Sequence, residues 1–99
     1  MTGSQEVSLF TRLALSPNVT VQALGENEGG VLLRLDSGEL YTVNDTTLAF
    51  LQELDGERAV VEVVGRLAGV FDVEEATLTA DLVEISNDLL AESLIVITA

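Results

Sequence analysis

The side chains able to do chemistry in this sequence are few and mostly of one kind. Histidine and cysteine are absent, the only four basic side chains are arginines, and 17 residues are aspartate or glutamate. An enzyme built from them would lack the usual general base, a thiol and a lysine amine, and would have to work with carboxylates alone. Asp72, Glu74 and Glu75 form the tightest acidic group, and the chemistry they suggest is acid–base catalysis or cation binding. Their position gives a plainer account. Asp72 followed three residues later by Glu75 has capping-box spacing with Asp as the cap, and the macrodipole stabilises anions at a helix start. "GENEGG" has neither the spacing nor the lysine of a phosphate loop, and "DSGE" lacks the calcium-loop pattern, so both read as turns. Neither catalytic residues nor a metal or cofactor site is therefore expected.

A chain of 99 residues suits one domain with a modest core. Its apolar residues, 47% of the total, fall in short punctuated runs, none near the ~20 residues that span a bilayer. No membrane segment is expected. The start, "MTGSQEVSLFTRLALSP", lacks a basic beginning and has Arg12 in its one apolar patch, so it does not read as a secretory signal and the expected location is cytoplasmic. Residues 1–17 are expected to form a flexible arm, with the folded domain over 18–99. The formal charge of −13 is lopsided: six acids lie in residues 1–50 and eleven in 51–99. Such a surface repels nucleic acid, whose phosphates need clustered Lys or Arg, and attracts a basic partner.

"VTVQAL" alternates as a half-buried strand, "GENEGG" turns the chain, and "VLLRLD" places Val31, Leu33 and Leu35 on one face and Leu32, Arg34 and Asp36 on the other. Asp36-Ser37-Gly38 suits a hairpin loop. "ELYTV" then returns, with Tyr41 and Val43 pointing one way and Leu40 and Thr42 the other. Asn44 or Asp45 can cap a first helix that Gly56 ends. "AVVEVVGRLAG" gives a second, with Gly69 as a stop, and a third runs from about Val73 to Ala91. "SLIVIT" closes the chain as a short strand or apolar tail. The fold class is α+β: a three-stranded antiparallel meander followed by three helices.

Two features are left without a function by this outline. On the third helix Leu78, Leu82, Ile85 and Leu89 share a ~60° stripe, with Ala76, Val83 and Leu90 on an adjacent arc and Glu74, Asp81, Glu84, Asp88 and Glu92 on the rest. The apolar arc is wider than the ~100° a surface helix usually buries, which leaves a wider core, a homodimer face or a partner site. The third strand can be a sheet edge open to an added strand, unless the terminal "LIVIT" pairs with it.

The stretch from Gly29 to Ile95 resembles the PqqD-like domains, recognition elements for ribosomally made, modified peptides, and the resemblance covers about residues 19–97. Their hairpin-and-cap signature reads Gly38-Glu39-Leu40-Tyr41-Thr42-Val43-Asn44, then Asp45 and Thr46. A later pattern reads Leu54-Asp55-Gly56-Glu57-Arg58-Ala59-Val60-Val61-Glu62-Val63-Val64, with Val43, Thr47 and Glu92-Ser93-Leu94 departing from family usage. The resemblance implies a winged-helix-like domain that takes a precursor's leader peptide as an added strand on the third strand, in a cleft against the third helix. It implies backbone pairing along Leu40, Tyr41, Thr42 and Val43, an apolar wall of Leu78, Leu82 and Ile85, and Asp81 meeting a basic leader residue. The stand-alone form is similar to those of lasso peptide clusters, where a leader peptidase and a cyclase follow. The alternatives are a pyrroloquinoline quinone pathway member working with a radical SAM enzyme and, against the shortage of basic residues, a winged-helix transcription regulator.

Overall fold

The computed structural model describes residues 7–98. The chain forms β1 (Leu13–Leu15), β2 (Val19–Ala23), β3 (Gly30–Arg34), β4 (Leu40–Val43), α1 (Asp45–Glu53), α2 (Val60–Phe71), α3 (Glu75–Ala91) and β5 (Ile95–Ile97). β2, β3 and β4 make the expected antiparallel meander in that spatial order, and the three helices follow it. Leu32 decides which face of the sheet is inside. It is fully buried, and with it Val19, Val21, Tyr41 and Val43 turn toward the helices. Leu33 and Leu40, opposite each other across β3 and β4, therefore lie on the outer face.

The core gathers Leu32 from the sheet, Phe50 and Leu51 from α1, Val60, Val63, Val64 and Leu67 from α2, and Leu78, Leu82 and Leu89 from α3. Complete burial of a side chain the size of Leu or Phe stabilises by about 1.5–3 kcal/mol, so this cluster outweighs any surface ion pair. Ser86 lies in the same buried face of α3, its hydroxyl without a hydrogen-bond partner among the described residues.

The start of the folded part differs from the expected flexible arm over 1–17. Residues 1–6 lie outside the described residues, but Val7 and Leu13 are buried, and Leu13–Leu15 form β1. Arg12, read as an interruption of an apolar patch, is the exposed position next to inward-facing Leu13, as strand alternation requires. The terminal segment pairs here: Leu13, Ala14 and Leu15 face Ile97, Val96 and Ile95. It does not pair with β4.

Helix boundaries shift for physical reasons. Asp72 caps the C-terminus of α2 in the left-handed conformation, φ 54°, so α3 starts at Glu75 with Glu74 as its N-cap. α2 runs past Gly69 to Phe71, half-buried against the core. At its start the Glu62 carboxylate accepts from the Ala59 N–H at 3.0 Å, half of a capping box, since alanine has no acceptor to return. Asn44 caps α1, its Oδ1 accepting from the Thr47 N–H at 2.8 Å. Asn44→Ala should cost about 1 kcal/mol and lower the melting temperature by about 4–8 °C, measurable by thermal denaturation.

The same junction explains the double glycine of "GENEGG". Gly29 has φ +69°, and a Cβ there would lie 2.2 Å from the Val43 carbonyl oxygen. Its N–H donates to Asp45 Oδ1 at 2.7 Å. The β2–β3 turn is thus fastened to the end of β4 and the first turn of α1.

Candidate functional site

β4 is an edge of its sheet, since among the described residues β3 is its only strand neighbour. The direction of its backbone groups follows from one hydrogen bond and the alternation of an antiparallel ladder. The Arg34 N–H donates to the Glu39 carbonyl at 2.9 Å, so Glu39 faces β3. With Tyr41 opposite Leu32 and Val43 opposite Gly30, those two residues face β3 as well. The N–H and C=O groups of Leu40 and Thr42 point away from the sheet. Their side chains are exposed, Leu40 at 66%, on the outer face.

Beside the end of β4 runs a shallow open cleft lined by Asn44, Thr46, Asp81, Glu84 and Ile85. Asn44 and Thr46 reach it because the strand passes directly into α1, and α3 supplies the other wall. Ile85 is half-buried and packs on the core, while Asp81 and Glu84 are exposed. At about 270 Å³ the cleft is smaller than the ~300–1,000 Å³ typical of small-molecule pockets, and it opens to one side.

At the Tyr41 end, Arg34 ties β3 and β4 to the end of α3. Its guanidinium donates to the Glu92 carbonyl and, at 3.4 Å, to the Tyr41 hydroxyl, and sits 5.8 Å from the Tyr41 ring centroid. A cation on the last carbonyls of a helix also complements its macrodipole. The hydrogen bond to Tyr41, with the Glu39 and Asp36 carboxylates nearby, raises the guanidinium's pKa against the opposing effect of desolvation, so this tie stays charged at any working pH. Its Nε pairs with Glu39 Oε1 at 3.6 Å, beyond hydrogen-bond reach, and has no hydrogen-bond partner among the described residues.

The residues named from sequence divide into two groups. Tyr41, Val43, Asp81 and Ile85 lie along β4 or the cleft, and Leu40 and Thr42 offer the outward backbone groups. Leu78 and Leu82 do not line it: at 3% and 0% exposure they are core residues, placed there by the same helical stripe that suggested a groove wall. Asn44, Thr46, Glu84 and Arg34 were not marked as site residues. Glu84 was within reach, because i+3 from Asp81 is the same helix face. The acids at 72, 74 and 75 serve helix ends, and among the described residues no group of three or more His, Cys, Asp or Glu could hold a metal ion.

Fold and edge together define a small α+β domain with an open strand beside a helix-lined cleft. The family model described as coenzyme PQQ synthesis protein D (PqqD) matches residues 29–95, and the chain belongs to that family. No curated protein matches it. Among solved structures it is similar to the PqqD truncation of Methylobacterium extorquens PqqCD, described as a functional, stand-alone recognition element for ribosomally synthesised and post-translationally modified peptides. That similarity has a TM-score of 0.80 and 19% identity, over 96% of this chain and 99% of the other. It is also similar to TbiB1 in complex with the TbiA(beta) leader peptide, with a TM-score of 0.70 and 20% identity over 83% of this chain and 93% of that one. At these identities the likeness establishes the fold.

Proposed function

We propose that this domain is a peptide recognition element that captures the leader of a ribosomally synthesised precursor as a fourth strand on β4, over the cleft against α3, and delivers the precursor to its maturation enzymes. The observation that carries the reading is the pair of outward backbone groups at Leu40 and Thr42, in a PqqD-family chain whose fold is shared by TbiB1, itself described in complex with a leader peptide. The domain works by binding and not by catalysis, in the cytoplasm where precursor and enzymes meet. Its partners are a leader peptidase and a cyclase of a lasso peptide cluster. The second reading, a quinone-cofactor pathway with a radical SAM enzyme, draws support from the family description itself. Isothermal titration with the leader encoded beside the gene tests capture, and absence of binding at high micromolar leader overturns it. A transglutaminase-like peptidase among the gene neighbours favours the first pathway, a radical enzyme the second.

With a net charge of −13, the domain should prefer a basic leader. Exposed charges are screened over ~10 Å at 0.1 M salt, so the association rate constant should fall several-fold from low to moderate salt while dissociation changes less. Stopped-flow measurement across that range checks it, and a flat rate would assign the acidic surface to solubility alone.

A further inference from the structure

A strand added to β4 has two unlike faces, and the side chains around its lane specify each. Its residues opposite Leu40 and Thr42 exchange backbone hydrogen bonds with them and turn their side chains to the outer face. The intervening residues, opposite Tyr41 and Val43, turn toward α3. On the outer face the neighbours are uncharged: exposed Leu40 with half-exposed Leu33 across from it, and Thr42 facing Val31. On the α3 side the cleft has an apolar floor, Ile85, and two carboxylates, Asp81 and Glu84, with Asn44 and Thr46 opposite.

Those carboxylates have no compensation within the described chain. Its ion pairs engage Glu39, Glu53 and Asp55, and none reaches Asp81, Glu84 or Asp88. Like charges three and four residues apart oppose a helix, and Asp88 adds an anion near the end where the macrodipole disfavours one. A long basic side chain suits this cleft on both counts. Its methylenes cover Ile85 while its head reaches Asp81 and Glu84, which a short, acidic or purely apolar side chain does not do.

Resting on the strand-addition reading above, we propose that the captured segment alternates, with arginine or lysine at the position turned toward Ile85, Asp81 and Glu84 and aliphatic residues at the positions beside Leu40 on the outer face. The test uses two synthetic probes of equal composition and charge, the alternating peptide acetyl-TRVRVRVT-amide and the block isomer acetyl-TRRRVVVT-amide. They are titrated against the wild type, an Asp81→Asn/Glu84→Gln variant and Thr42→Pro, each checked for folding by its melting curve. The alternating probe should bind the wild type about tenfold more tightly than the block isomer. The double variant should lose about five- to tenfold for the alternating probe and most of that preference, in keeping with two partly exposed ion pairs. Equal binding of the isomers, or indifference to the double variant, overturns the alternation. Thr42→Pro separates the two claims. If it abolishes binding while the isomers bind alike, strand addition stands and the alternation alone falls. If the alternating probe binds folded Thr42→Pro as it binds the wild type, strand addition falls as well.

Discussion

Thr42→Pro should leave the domain folded and reduce leader affinity by about ten- to a hundredfold. Thr42 directs its N–H away from the sheet, so proline there removes no bond of the β3–β4 ladder, and an edge strand tolerates proline on its free side. The loss is confined to the complex, where a leader carbonyl is left without its donor at a cost of about 1–3 kcal/mol. Val43→Pro is the contrasting variant. Its N–H faces β3 opposite Gly30, in the junction where Gly29 lies against the Val43 carbonyl, so that substitution should lower stability first and affinity only as a consequence. Titration and thermal denaturation of both variants give the comparison. If folded Thr42→Pro binds the leader as the wild type does, β4 is not the receiving edge.

The difference between these two prolines shows where sequence reading stops. Alternation in "ELYTV" separated Tyr41 and Val43 from Leu40 and Thr42, but strands of period two look the same whichever face is buried. It took the burial of Leu32 and the Arg34–Glu39 bond to fix both the inner face and the outward amides. The order of strands and helices was legible because Gly38, Asn44 and Gly56 punctuate it with turn and cap chemistry that acts locally. β1 was not legible. Three residues carry too little pattern to register as a strand, and its pairing with β5 joins segments some eighty positions apart, which only the folded chain brings together. The cleft was half legible for a similar reason: Asp81 and Ile85 belong to one helical face, while Asn44 and Thr46 enter from the strand-to-helix junction. Asp72 illustrates competition between equally good local roles, since the spacing that fits an N-cap of α3 gave way to a left-handed close of α2.

Leu82→Ala should cost about 2–5 kcal/mol, a large share of the 5–15 kcal/mol that holds a domain of this size together, and lower the melting temperature by about 10 °C or more. Leu82 is fully buried within the cluster that joins Leu32, Phe50 and the α2 valines, so truncation opens a cavity that the surrounding sheet and helices cannot close. Leu82→Asp goes further by placing a carboxylate among apolar side chains without a partner, and should unfold the domain at ordinary temperatures. Its loss of leader binding would therefore report unfolding and not a groove contact. Ile85 is the residue that reports the groove. Half-buried at the cleft floor, Ile85→Ala should lower the melting temperature by only a few degrees while weakening leader binding several-fold. Melting curves paired with titrations well below each transition separate the two residues. A Leu82→Ala protein that melts like the wild type, or that loses leader affinity while fully folded and as steeply as Ile85→Ala, would move Leu82 out of the core and into the peptide wall.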